Sequence, residues 1–233
     1  MPFRFRQFLI EDNRSTLRVG TDAMLLGSWA QPGSALKILD IGTGCGVLAL
    51  MMAQQSDATV EGIDIDLPSV HEATANFSQS PWNKRLTAVH SSLGDFSMNT
   101  DNCYDFIITN PPFFSNSLRS PSSRKNNARH EDGMSIGELI ATVSKLLSEN
   151  GRFTVILPTQ QAAQCCLLCQ ETGLKLLRRM IVYPKPAAPA KRIMMEFSKT
   201  GISAAAESEL TILDTSGKFS NAYLTLTSSF HHF

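Results

Sequence analysis

Ala35-Leu36-Lys37-Ile38-Leu39-Asp40-Ile41-Gly42-Thr43-Gly44-Cys45-Gly46-Val47-Leu48 reads as a strand, a glycine-rich turn and the start of a helix. Ala35 to Ile41 is an apolar run of strand length, and Val47 to Gln55 continues as a helical segment. Asp40 and the glycines Gly42, Gly44 and Gly46 therefore fall at the carboxyl end of a strand, just before a helix N-terminus. Glycines let a backbone approach a ligand closely, and a helix N-terminus favours a negative group. The spacing is Gly-x-Gly-x-Gly, because position 47 is Val, so it is not the dinucleotide fingerprint.

Working outward, apolar runs alternate with helical patterns from about residue 35 to 200, the signature of a parallel sheet with crossover helices. Strands are expected at Thr59 to Ile65, Leu86 to Ser91, Tyr104 to Thr109, Arg152 to Leu157, Leu176 to Tyr183 and Arg192 to Ser198. Helices are expected at Ser69 to Ser78, Ser135 to Ser148 and Gln160 to Glu171. After the rigid connector Pro184 to Pro189, the last strand returns antiparallel. The expected fold is a doubly wound, mostly parallel, seven-stranded Rossmann-like α/β sheet with an antiparallel last strand. Its domain plan is a single unit over 1–233: an extension at 1–34, a core at 35–200 and a decoration at 201–233.

The second strand ends in Ile63-Asp64-Ile65-Asp66, and an acid there can bind both hydroxyls of a ribose. Asp64 is the first choice and Asp66 the alternative, although Asp66 also suits a helix N-cap. In Gly94-Asp95-Phe96, after the third strand, Asp95 can accept from an adenine amino group and Phe96 can pack on the ring; the competing reading is an ordinary loop.

The fourth strand runs into Asn110-Pro111-Pro112-Phe113. An exocyclic amino group is a poor nucleophile because its lone pair is delocalised, and two acceptors aimed at its N–H bonds redirect that pair. The Asn110 side-chain carbonyl and the Pro111 backbone carbonyl are such acceptors, and the prolines stiffen the turn. Phe113 offers a flat face on which a base stacks for about 1–3 kcal/mol.

The 233 residues carry no net charge, so overall charge announces no nucleic acid. The basic residues are nevertheless clustered. Lys175, Arg178, Arg179, Lys185, Lys191, Arg192 and Lys199 stand against Glu196 alone between 174 and 200, and the long loop 114–133 carries Arg119, Arg124, Lys125 and Arg129. Cations beside a target pocket are what phosphate contacts require. The five cysteines, an odd number mostly in apolar segments, suit reduced core thiols, and Cys166-x-x-Cys169 has no second ligand pair at zinc spacing, so no metal site is expected. No apolar run approaches a membrane span and the N-terminus lacks a signal core, so the expected compartment is the cytoplasm.

Together these motifs resemble the class I S-adenosylmethionine-dependent methyltransferases over residues 15 to 200, and Asn-Pro-Pro-Phe resembles the signature of their amino-group methylating members. Arg18-Val19-Gly20-Thr21-Asp22-Ala23-Met24-Leu25-Leu26-Gly27-Ser28-Trp29 is similar to the element before the first strand in the bacterial valine-tRNA adenine-37 N6-methyltransferase family, as are Ala128-Arg129-His130 and Pro189-Ala190-Lys191-Arg192. The resemblance implies S-adenosylmethionine as cofactor, with Arg18, Gly20 and Thr21 in its site, and tRNA as the partner. Phe114, Arg124, Lys125, Arg129, His130, Lys191 and Arg192 are then the substrate-side candidates. Thr21 or Asp22 is expected to cap the helix that follows. The family more often places Glu at position 64, which keeps the charge. Glutamine N5-methylation and DNA adenine methylation are the alternatives; the first usually has Tyr at position 113 and the second a target-recognition domain, for which residues 201–233 are too few.

Overall fold

The computed structural model describes residues 2–13, 15, 19–101, 103–111, 135–200 and 205–231. A short hairpin, β1 (Phe3–Arg4) and β2 (Leu9–Ile10), precedes α1 (Thr21–Trp29). Then come β3 (Lys37–Ile41), α2 (Val47–Gln55), β4 (Thr59–Asp64), α3 (Leu67–Ser78), β5 (Leu86–His90), α4 (Leu93–Met98) and β6 (Tyr104–Thr109). The chain continues through α5 (Ile136–Leu146), β7 (Leu147–Pro158), α6 (Thr159–Glu171), β8 (Lys175–Tyr183), β9 (Arg192–Ser198), β10 (Ala206–Thr211) and α7 (Asn221–Thr227).

The main sheet has the order β10-β8-β9-β7-β6-β3-β4-β5, with β9 antiparallel to both neighbours and every other pairing parallel. Period-two alternation sends Ile38, Phe106, Ile108 and Ile156 to a core under α1, α2, α3 and α7, and Leu39, Ile41, Ile107 and Val155 to a second core under α4, α5 and α6. The doubly wound reading holds, with one correction: the sheet has eight strands, not seven. The extra strand, Ala206–Thr211, escapes a hydrophobic scan because it is an edge strand whose only buried residue is Leu210. Its acids meet β8 side by side, Glu207 with Arg179 and Glu209 with the Tyr183 hydroxyl.

Other differences are local. Gly94-Asp95-Phe96 is the middle of α4, not a loop, because Ser92 caps it: Ser92 Oγ accepts from Asp95 N at 3.1 Å and donates to Asp95 Oδ2 at 2.6 Å. α5 gives way to β7 at Leu147, four residues before the expected break at Asn150-Gly151 is complete. The register on β6 slips between Tyr104 and Phe106 to absorb Ser148 to Gly151, and a Cβ on Gly151 would lie 2.9 Å from the Tyr104 carbonyl. The cap of α1 is Gly20 in an extended conformation with no side-chain bond, so neither Thr21 nor Asp22 caps it.

Candidate active site

Strand register sets the geometry of the site. Thr109, Ile41 and Ile63 lie side by side on β6, β3 and β4, and Thr109 Oγ1 donates to the Ile41 carbonyl at 2.8 Å. One step beyond this row stand Asn110, Gly42 and Asp64. With strands about 4.8 Å apart, the three occupy a line roughly 10 Å long at the carboxyl ends of the strands. The chain leaves β3 toward β4 on one side and returns to β6 on the other, so the line crosses the point where strand order reverses. Ligands of open α/β sheets bind at such a crevice.

The glycine turn is held from beneath. Gly42 N and Thr43 N both donate to the Ile63 carbonyl at 2.9 Å, folding the turn toward β4. Gly42, Gly44 and Gly46 have φ of 70°, 55° and 87°, left-handed values that glycine adopts without strain. Asp40 is 0 % exposed; its Oδ2 accepts from Thr43 Oγ1 at 2.7 Å and Ala49 N at 3.1 Å, joining turn to α2, while among the described residues Oδ1 has no partner. Asp40 thus builds the turn from below instead of facing the cleft. Cys45 is buried in the same turn, and burial pushes its thiol up to about 12, so it remains protonated.

Burial pushes the Asp40 carboxyl up to about 7 from 3.8, against the pull of the Thr43 and Ala49 hydrogen bonds. Between those two pH values the unfolded chain has lost the proton that the folded chain keeps. Asp40 therefore stabilises the fold most below pH 3.8 and loses that contribution as pH rises to about 7. In Asp40→Asn this part of the pH dependence disappears. Urea unfolding at steps from pH 4 to 8 checks it: the difference in stability between wild type and variant should change across that window and level off above it.

Asp64 is half-buried and faces the turn: Oδ2 accepts from Gly44 N at 2.8 Å and Oδ1 from Asp66 N at 2.9 Å. Asp66, the alternative, is the N-cap of α3, its Oδ2 accepting from Ser69 N at 3.0 Å and Ser69 Oγ at 2.7 Å. Asp66 thus serves as the cap of α3, while Asp64 is the acid that faces the turn. The Phe96 ring is turned into the second core, tilted against Tyr104 at 6.4 Å, and is not available as a platform for a base. Asp95 is exposed on α4 with Ser92 bound to it.

Asn110 is half-buried and Pro111 buried at the end of β6, and among the described residues nothing hydrogen-bonds the Asn110 amide. Arg18, Pro112, Phe113, Phe114, Arg124, Lys125, Arg129 and His130 lie outside the described residues, as does the loop 114–133.

The basic cluster near the C-terminus mostly resolves into structural pairs. Arg178 and Arg152 hold the buried Glu196 at 2.8 and 3.2 Å, and the Arg178 guanidinium lies 3.9 Å over the Trp29 ring. Arg179 pairs with Glu207, Lys199 donates to the Leu147 carbonyl at 2.7 Å, and Arg192 pairs with Asp22 at 2.8 Å. Arg192 is thus a tie between β9 and α1, and its charge is matched. Lys185 and Lys191 are exposed on the β8–β9 connector, at the same end of the sheet as Asn110, and among the described residues neither has an acidic partner. Thr109 and Thr43, the residues that lock the strand ends together, are invisible to pattern reading because a buried threonine has no distinctive spacing.

Among the described residues no cluster of three or more His, Cys, Asp or Glu is placed to hold a metal, the five cysteines are free thiols, and no helix is long and apolar enough to cross a membrane. A cavity of about 180 Å³ lined by Lys37, Lys84, Arg85 and Tyr104 opens at the opposite, amino end of the strands, away from this line of residues.

The model of the methyltransferase small domain family matches residues 15–172. The tRNA1(Val) (adenine(37)-N6)-methyltransferase of Bacteroides fragilis is 38% identical over 231 residues, covering 98% of this chain and 97% of the relative. That of Trichodesmium erythraeum is 37% identical over 232 residues with the same coverage. Among solved structures, protein Atu636 of Agrobacterium tumefaciens, described as a predicted O-methyltransferase, superposes with a TM-score of 0.66 at 20% identity over 90% of this chain and 96% of its own, a likeness of fold. By the family match and by this near full-length identity, the chain belongs to the methyltransferase small domain family, in the branch whose curated members are the tRNA1(Val) (adenine(37)-N6)-methyltransferases.

Proposed function

We propose that the protein transfers a methyl group from S-adenosylmethionine to the exocyclic N6 of an adenine in tRNA, adenine 37 of tRNA1(Val). The observation that carries this reading is the register that sets Asn110 beside Gly42 and in line with Asp64. The cofactor fits the donor set there. Among the described residues a Cβ built on Gly42 would meet nothing within 4 Å, so the turn leaves open space at the crevice, and Asp64 is an acid suited to a ribose diol.

When bound, S-adenosylmethionine supplies a methyl carbon made electrophilic by a sulfonium. The chain's own residues orient and desolvate. The side-chain carbonyl of Asn110 and the backbone carbonyl of Pro111 accept the two N–H bonds of the neutral amino group, turning its lone pair toward the methyl donor. Phe113 stacks the extruded base. The amino proton leaves after transfer, when nitrogen is cationic and acidic, so no general base is assigned. Alignment of this kind is worth up to about 7–11 kcal/mol. The site needs no metal, and the compartment is the cytoplasm, where tRNA is found.

The test incubates the protein with labelled S-adenosylmethionine and total tRNA from a strain lacking this activity, then digests the RNA for nucleoside mass spectrometry. N6-methyladenosine at one site in tRNA1(Val) is the expected product. Label in a glutamine side chain, and none in RNA, would replace the reading with protein methylation.

Lys185 and Lys191 are the substrate-side cations, held on a connector stiffened by Pro184, Pro186 and Pro189 and pinned by Lys191 N to the Val182 carbonyl at 3.0 Å. The double variant Lys185→Ala/Lys191→Ala should raise KM for tRNA and make its log–log salt dependence shallower by about 2, one per lost phosphate contact. Lys175→Ala, at the opposite end of β8, is the control and should change neither. Equal effects from both would remove the connector from the RNA interface.

A further inference from the structure

α3 presents two nearly inaccessible polar side chains one turn apart, Glu72 at 4 % and Asn76 at 3 % exposure. Glu72 Oε1 accepts from Asn13 N and Oε2 from Ser15 N, each at 2.8 Å. Asn76 Oδ1 accepts from Glu11 N at 2.9 Å, and its Nδ2 donates to the Glu11 carbonyl and to the Cys45 carbonyl, both at 2.8 Å. Every proton of that amide is used. One side chain thereby joins the N-terminal segment to the middle of the glycine turn, between Gly44 and Gly46.

The segment so held has no hydrophobic reason to lie there. Glu11 and Asn13 are exposed and Asp12 and Ser15 half-exposed. Its place is set by hydrogen bonds, and burying a carboxylate is costly unless its oxygens are satisfied, as those of Glu72 are. Asp12 Oδ2 accepts from Val19 N at 3.0 Å, and beyond Gly20 the chain is tied to the start of β9 by Asp22 and Arg192. The described residues of this stretch are thus fixed on both flanks of the crevice, at α3 on one side and at β9 on the other. The Cys45 thiol, pushed up mainly by burial, is raised further by the charges of Glu72 and Asp12, so both carboxylates reach the turn electrostatically.

We propose that Glu72 and Asn76 are positioning residues for the cofactor, holding Glu11, Asn13 and Ser15 as a wall beside the glycine turn. The inference rests on reading that turn as the S-adenosylmethionine site. Neither side chain touches the reacting atoms; both act through the backbone they hold.

Glu72→Gln keeps the shape but sets an NH2 group against one of the two backbone amides. Asn76→Asp keeps the acceptor toward Glu11 N and loses the donor to both the Glu11 and the Cys45 carbonyls. In the full-length protein, calorimetry with S-adenosylmethionine should show Kd raised about 10-fold in either variant, the size expected for losing a hydrogen bond to a charged or buried group. KM for S-adenosylmethionine should follow, while KM for tRNA and kcat at saturating cofactor change far less. A purely structural role would lower the melting temperature and shift all three together. Hydrogen exchange on the wild-type protein needs no variant: S-adenosylmethionine should slow exchange at the Asn13 and Ser15 amides. Wild-type Kd in both variants, or no slowing at those amides, overturns the inference alone. Wild-type protein that binds no S-adenosylmethionine overturns the cofactor reading and this inference with it.

Discussion

Asn110→Ala should lower kcat for tRNA methylation by about 10³-fold and kcat/KM by the same factor, the loss expected when one preorganised polar group at a reacting centre is removed. KM for S-adenosylmethionine and for tRNA should stay within a few-fold. The reason is where Asn110 sits. Its backbone is fixed by Thr109, whose hydroxyl is bonded to the Ile41 carbonyl, whereas its side-chain amide has no partner among the described residues. Truncation therefore removes a group held ready for a ligand and breaks no described internal bond. A half-exposed substitution of that kind changes stability by roughly 0.5 kcal/mol or less, about 1–2 °C in Tm for a chain of this size. Single-turnover methylation at saturating cofactor, alongside a thermal melt, separates the outcomes. A variant that melts normally and methylates within tenfold of wild type would remove Asn110 from the chemistry. A variant that melts 10 °C lower would make it a structural residue.

How far the sequence discloses this site depends on the kind of constraint each residue obeys. The glycine turn and Asn110-Pro111 are legible because they combine rare residues at strand ends, and a backbone that must bend or approach a ligand admits few alternatives. Asp64 and Asp66 are two residues apart on one short stretch, and hydrogen bonds made in the fold, from Ser69 to Asp66 and from Gly44 N to Asp64, separate the cap from the residue facing the turn. The arginines are harder. Arg178 and Arg192 look like free cations in the chain, since Glu196 and Asp22 lie 18 and 170 positions away and are joined to them only by the fold. Phe96 is misjudged for the opposite reason: it follows an apparent turn at Gly94, but the cap at Ser92 rolls the segment into a helix and carries the ring inward. The edge strand Ala206–Thr211 carries almost no periodic signal because it buries one side chain. Glu72 and Asn76 read as ordinary polar positions of a helix. What sets them apart is the N-terminal segment they hold, 57 to 65 residues earlier in the chain.

Gly46→Ala and Gly42→Ala should fail in different ways. Both glycines have left-handed φ, 87° and 70°, so each alanine carries backbone strain of about 1–2 kcal/mol. At Gly46 the new methyl also has no room. It would lie 2.4 Å from Phe77 Cε1 and 2.9 Å from Cζ, and Phe77 is itself buried in the core beneath α3, so the ring cannot swing away. Strain plus overpacking should cost ~2–5 kcal/mol, enough to lower Tm by about 10 °C, and the displaced turn should take cofactor affinity with it. At Gly42 the methyl meets nothing within 4 Å among the described residues. Stability should fall only by the strain, yet Gly42 stands between Asn110 and Asp64 at the crevice where the cofactor is proposed to lie. Its Kd for S-adenosylmethionine should rise at least ~10-fold, equivalent to 1.4 kcal/mol or more. Calorimetric titration and thermal melts of both variants decide the matter. Gly42→Ala with wild-type affinity would mean that the open space is not the seat of the ligand. Gly42→Ala that is nearly as stable as wild type but binds weakly would assign that space to the cofactor, because at Gly42, unlike Gly46, the described residues offer nothing for the methyl to disturb.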